Sequence, residues 1–267
     1  MVNDLEVTNT MNNHNFLISD DDSDLIVGTC RNIIGMIRES AVEMNRELCH
    51  TIIVEDLQVD DEFKKYYQST KASISNIYIS ILDNTTNILS SYFFSLQSPF
   101  FFHKLKMEKD IISIELVGAF AESPSKEALG IWKIWSEGIP KSKNSWSRFT
   151  KEYRTGWLEV VRLHKGLLGI PKDQQNLDYY MDLTYVSDVV SFFCALGEAM
   201  NGPGGYYGYD LVSLEDCLFG GFGSKPPFTL YFRKSNTQTQ DFIKEQNFFI
   251  GKFKELAAYH QVKLVCE

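Results

Sequence analysis

Between residues 173 and 266 the spacing of apolar positions switches repeatedly between a strand period and a helix period. LDYYMDL at 177–183 reads as a short strand, and Ser187-Asp188 can cap a helix running to Met200. Asp210 can cap a second helix to about Phe219, where Gly220-Gly221 stop it. FTLYFR at 228–233 reads as a buried strand. Gln238 to Gln261 reads as one long amphipathic helix with Phe242, Phe249, Phe253 and Leu256 inward, and VKLVC at 262–266 as a closing strand. Strands alternating with helices predict an α/β domain over 173–267, a three-stranded parallel sheet covered by helices.

Upstream the pattern is less regular. Residues 1–22 are polar, rich in Asn and end in Asp20-Asp21-Asp22, which predicts a disordered acidic tail. Leu25, Ile33, Ile34, Ile37, Ala41, Met44 and Leu48 fall near one stripe, so 24–50 reads as a helix. TIIVEDL at 51–57 fits either a strand or an extension of that helix. SISNIYISIL at 73–82 and NILSSYFFSL at 87–96 flank the turn cluster Asp83-Asn84-Thr85-Thr86 and predict a β-hairpin, and DIISIELVGAF at 110–120 predicts another strand. Ser125 to Gly138 and Lys151 to Leu168 read as helices, the second ending near Gly169-Ile170-Pro171. GIPKDQQ at 169–175 then marks the boundary of an α+β N-terminal domain over 23–172. All four tryptophans fall within 132–157. Packing in a core or between domains is the default reading for them, and a second contact to a partner is the sharper one.

Composition adds a core and a charge pattern. The 267 residues suit one large domain or two modest ones, and 44% are hydrophobic. Net charge is −9, but its placement matters more. Met1 to Cys30 holds six acids and no Lys or Arg, and Asp173 to Ser224 holds eight acids and again none. A one-signed surface of this kind repels nucleic acid and draws basic proteins. Cys30, Cys49, Cys194, Cys217 and Cys266 are odd in number and far apart, so they predict free thiols in a reducing compartment. Asp4 and Glu6 stand where a signal peptide would be positive, and Gln97, Ser98 and Pro99 interrupt the aromatic run at 91–103. These features predict a soluble cytoplasmic protein with no membrane partner.

Catalytic and cofactor signals are weak. GPGGYYG at 202–208 lacks both the spacing and the lysine of a phosphate loop, and the five histidines show no metal spacing, so no cofactor or metal is expected. Glu215 and Asp216 are adjacent and diverge on a helix, which makes them a poor acid–base pair. Cys217 falls on the flank toward the core, away from the place a nucleophile needs.

The densest chemistry is GGYYGYDLVSLEDCLFGGFG at 204–223. On a helix from Asp210 to Phe219, Leu211, Leu214 and Leu218 line one face, while Val212, Glu215, Asp216 and Phe219 line the other. Tyr206, Tyr207 and Tyr209 come just before. Aromatic rings around fixed carboxylates are the ingredients of an anchored, electrostatically specific protein interface.

The C-terminal part also resembles the barstar-like inhibitors of secreted ribonucleases. The order of elements matches, and so does the text Tyr206-Tyr207-Gly208, Leu211, Leu214, Asp216-Cys217-Leu218 and Pro227. The resemblance implies a barstar-like fold for 173–267 and a non-enzymatic immunity protein. Such a protein binds one cognate basic toxin, a ribonuclease, in a 1:1 complex and occludes its active site. Tyr206 matches the tyrosine that contacts the enzyme's cleft, and Asp216 matches the acid that mimics a substrate phosphate. Glu255 matches a peripheral acidic contact on the last helix. Two positions depart: Val212 stands where the family commonly has an aspartate, and Glu215 where it commonly has a tryptophan. These departures imply a cognate toxin other than a barnase-type enzyme. The second reading is a non-enzymatic adaptor that uses the same face for a basic protein unrelated to toxins.

Overall fold

A computed structural model of the chain describes residues 14–44, 47–70, 73–102, 111–233 and 237–266. The chain divides into two compact units, Met1–Ser123 and Pro124–Glu267.

The first unit is an antiparallel barrel. Its strands are β1 (Phe16–Asp20), β2 (Ile26–Cys30), β3 (Asn32–Ile34), β4 (Val42–Met44), β5 (Glu47–Val59), β6 (Ile74–Leu82), β7 (Ile88–Phe100) and β8 (Ile111–Phe120). Pairing runs β2-β1-β6-β7-β8-β5, and β5 returns to β2, so six strands close on themselves while β3 and β4 pair with β5. Closure pairs β2 with β5 at Gly28–Val59 and Thr29–Gln58, so neither is left as a sheet edge there. Ile77, Ile79 and Ile81 of β6 point inward with Ile52 and Val54 of β5 and Leu116 of β8. Gly28 makes the closing seam possible, because a Cβ there would stand 2.2 Å from the Gln58 carbonyl oxygen. Between β5 and β6, α1 (Asp61–Thr70) lays Phe63 and Tyr67 against Phe102, with ring centroids 5.1 and 5.7 Å apart.

Two expectations are corrected here. The described residues of 24–50 form strands and a short 3-10 turn rather than a helix. The run is rich in β-branched residues, and Ile34 and Leu48 of the supposed helical stripe are exposed. What buries Val27 and Cys30 is pairing with distant strands, which a local stripe cannot register. The described end of the expected acidic tail, from His14 to Asp22, is also structured, with β1 over Phe16–Asp20. β1 pairs with both β2 and β6, and buried Asp20 accepts hydrogen bonds from the Ser23 amide and hydroxyl. Residues 1–13 of that tail lie outside the described residues. The hairpin does form: β6 pairs antiparallel with β7, and Asp83 Oδ1 accepts from the Thr85 and Asn87 amides in the turn. α1 was not read from the sequence.

The second unit carries α2 (Lys126–Ser136), α3 (Lys151–Leu167), β9 (Asp178–Asp182), α4 (Val189–Asn201), α5 (Leu211–Phe219), β10 (Phe228–Arg233), α6 (Thr237–Glu245), α7 (Asn247–Tyr259) and β11 (Val262–Cys266). The three strands are parallel, in the order β11-β10-β9. The expected single helix from Gln238 is two helices, broken at Gln246.

The domain boundary also moves. Gly169-Ile170-Pro171 is a surface loop with Ile170 exposed, and the chain returns at once to bridge Gln174 to Ser224. α2 and α3 therefore belong to the second unit. All four tryptophans are buried, with Trp135 edge-on to both Trp132 and Trp157 at centroid distances of 5.9 and 5.5 Å. That burial removes the tryptophans from any partner surface. Arg154 of α3 pairs with Asp188 at the start of α4, at 2.5 Å. Glu198 of α4, only 1% exposed, accepts from the Asn144 amide at 2.6 Å, the Trp146 indole at 3.1 Å and the Gly204 amide at 3.2 Å.

Candidate functional site

Both ends of α5 are defined locally. Asp210 Oδ1 accepts from the Ser213 amide at 2.7 Å, and Ser213 Oγ accepts from the Asp210 amide at 3.0 Å. This reciprocal cap fixes the start of the helix, and Gly220 ends it. The inner face is Leu214, Cys217 and Leu218, all buried. Burial, and then the charge of Asp216, pushes the Cys217 thiol up to about 12, so it stays protonated and inert.

The outer face is open. Val212 is 71% exposed and Phe219 70%. Asp216 is exposed between them and Glu215 is half-exposed. Alongside, Phe248, Lys252, Glu255 and Tyr259 form an exposed stripe on α7 at helical spacing. Val212 and Glu215 of α5 and Lys252, Glu255 and Tyr259 of α7 line a shallow groove of about 420 Å³. His260 lies beside Glu215: its Nε2 is 3.6 Å from Glu215 Oε1, and the rings of Phe219 and Tyr259 stand edge-on to it. Lys252 Nζ holds Glu255 Oε2 at 2.7 Å on the lip.

The structure thus brings Val212, Glu215 and Glu255 together, and Asp216 and Phe219 continue the same face of α5. Tyr209 is half-exposed at the entry to α5, with the Arg162 guanidinium 6.0 Å from its ring centroid. Two expected contacts do not belong to this surface. Tyr207 is wholly buried and its hydroxyl donates to the Ser224 carbonyl at 2.9 Å. Tyr206 is 5% exposed and its ring meets Phe222 at 5.9 Å. Burial pushes both phenols above their usual range. Large rings beside an apolar helix face gain more from burial than from exposure, and each keeps a polar handle for one partner.

Sequence reasoning missed Phe248, Lys252, Tyr259 and His260. A signal existed, because Tyr259 lies one turn beyond Glu255 and Lys252 one turn before it. The acidic stretch also needs a correction. Glu198 is internal, Asp188 is paired with Arg154, and Asp173 accepts from the Gly221 and Gly223 amides. Half-buried Asp182 accepts from the Thr184 amide and hydroxyl, which leaves Asp178, Asp210, Glu215 and Asp216 to carry the outward charge.

Among the described residues no group of three or more His, Cys, Asp or Glu could hold a metal ion, and no helix is long and apolar enough to cross a membrane. Comparison with protein-family models, curated proteins and solved structures finds no match to this chain.

Proposed function

We propose that the second unit is a barstar-like inhibitor, an immunity protein that binds a cognate basic toxin, a ribonuclease, one to one. The observation that carries this reading is the outer face of α5: two carboxylates, Glu215 and Asp216, framed by exposed Val212 and Phe219 and joined across a groove by Glu255. Exposed apolar side chains beside fixed acids are expensive to keep in water and suit a desolvated contact. The order β9-α4-α5-β10-α6-α7-β11 and the Tyr206–Leu218 motif support the same reading.

The mechanism is occlusion without turnover. A ribonuclease cleft is cationic where it holds the RNA phosphate. Asp216, with Glu215, enters that cleft in place of the phosphate, while Val212 and Phe219 exclude water from its rim. Attraction between the acidic face and the cleft raises the association rate, and the desolvated contacts slow dissociation. Because Tyr206 is internal, contact with the toxin falls to the α5 and α7 side chains.

The test is inhibition of RNA cleavage by the cognate basic nuclease, titrated with the chain. Inhibition complete at one equivalent and lost in Asp216→Ala supports the reading; full inhibition by Asp216→Ala sinks the site. The adaptor reading requires instead a basic partner that cleaves no RNA.

A further inference from the structure

A second concavity of the Pro124–Glu267 unit lies at the ends of β10 and β11. Phe232 and Cys266 are register partners on these parallel strands, and Leu264, two residues before Cys266, points to the same side of the sheet. The helical segment facing them breaks at Gln246, so α6 contributes Ile243 and α7 contributes Ile250. Together these side chains line a cavity of about 470 Å³, with buried Phe242 and Phe253 behind them. A ligand can reach its wall: Ile243 is 39% exposed, Cys266 is exposed, and Phe232, Ile250 and Leu264 are each half-buried. The chemistry of the wall is one-sided. Thr239 carries the one hydroxyl on the lining among the described residues, and it donates to the Leu183 and Val186 carbonyls at 2.7 and 3.1 Å. That bonding leaves no side-chain hydroxyl or amide to hold the body of a ligand. The one charged side chain on the lining is Lys254, one turn after Ile250 on α7. Lys254 is exposed and makes no ion pair among the described residues, and no Asp or Glu lines the cavity there.

We propose that this cavity binds a fatty acid, with its alkyl chain against Phe232, Ile243, Ile250 and Leu264 and its carboxylate on the Lys254 ammonium at the mouth. An apolar hollow open to water is costly, and a hydrocarbon chain that displaces the water recovers that cost. Size favours a chain over a ring. A cavity of about 150 Å³ already holds one benzene, so a single ring would leave most of this one empty, whereas a chain of roughly ten carbons or more occupies it. The sign of the charge follows from the lining, where one unpaired cation faces no acid. The site shares α7 with the α5–α7 groove but none of the groove's lining residues, and it does not depend on the inhibitor reading.

The test alkylates the full chain with iodoacetamide and reads the modified residue by mass spectrometry. Cys266 is the one exposed cysteine of the five, so it is the residue that reacts. Decanoate, kept below its micelle concentration, is expected to slow that reaction saturably, while acetate leaves the rate unchanged. Decanol, which has the same chain without the charge, is expected to need roughly fivefold more for half-protection. Lys254→Met raises the decanoate requirement to the same extent and leaves that of decanol unchanged; Lys254→Gln serves if the first variant does not fold. Alkylation of Cys266 that ignores decanoate, protection by decanol equal to that by decanoate, or decanoate protection unchanged in the lysine variants overturns the proposal.

Discussion

Glu198 and Asp216 lie in the same cation-free stretch and do opposite work. Glu198 is inside, on α4, where three N–H donors converge on it from the 144–146 turn and Gly204. Asp216 is outside, on α5, between two exposed apolar side chains. Both count equally toward net charge, yet only the outer one can meet a partner. The inner region holds α3, α4 and the 201–206 loop in place, and the outer region spends its side chains on the surface. The lesson is that charge along a sequence locates a surface only after each acid's partners are known.

Substitutions should separate the two regions. Glu198→Ala should have the largest effect on stability, about 3 kcal/mol or more, because it strands the Asn144, Trp146 and Gly204 donors in a buried site. Urea denaturation measures it. Asp188→Ala removes both the α4 cap and the partly buried Arg154 partner, and should cost about 2 kcal/mol by the same assay. Tyr207→Phe loses one internal hydrogen bond and should cost about 1 kcal/mol, with partner binding unchanged. Asp216→Ala should leave stability within about 0.5 kcal/mol and remove partner binding.

Acid titration sharpens the same contrast, because the two internal carboxyls shift in opposite directions. Burial raises Glu198 above its ordinary range despite its three donors. Its contribution to stability is therefore present below the unfolded value of about 4.3 and is lost as pH rises through the folded value. Burial opposes the charge of Asp188 as well, but the Ser191 amide and the Arg154 guanidinium outweigh it and hold that carboxyl low. Its contribution is present above the unfolded value of about 3.9 and is lost as pH falls through the folded value. Unfolding midpoints across about pH 3 to 7 should show Glu198→Gln flattening the loss toward higher pH, and Asp188→Asn flattening the loss in acid. The same slope change from both variants would contradict this assignment.

The second unit was largely legible because its signals are local. Asp188 and Asp210 cap helices as their positions imply, and Gly220 stops α5. FTLYFR and VKLVC are strands at their predicted limits. The barrel was not legible over 24–50, since β2 and β3 exist only through pairing with β1 and β5. The interior place of Glu198 was readable in principle: VVSFFCALGEAM is apolar nearly all round, and a helix of that kind is buried on every side. The outer face of α5 followed from helical spacing alone. The fate of Tyr206 and Tyr207 did not, because adjacent rings beside a glycine turn can face either way.

The most direct test of the central claim is capture from the native host with tagged wild type, Tyr207→Phe and Asp216→Ala side by side. Each captured protein would be assayed for RNA cleavage, with and without one equivalent of the chain. The account predicts one basic, RNA-cleaving protein, retained by wild type and Tyr207→Phe, lost by Asp216→Ala, and silenced at 1:1. Capture that ignores Asp216→Ala, or a captured protein whose RNA cleavage the chain does not inhibit, would contradict it.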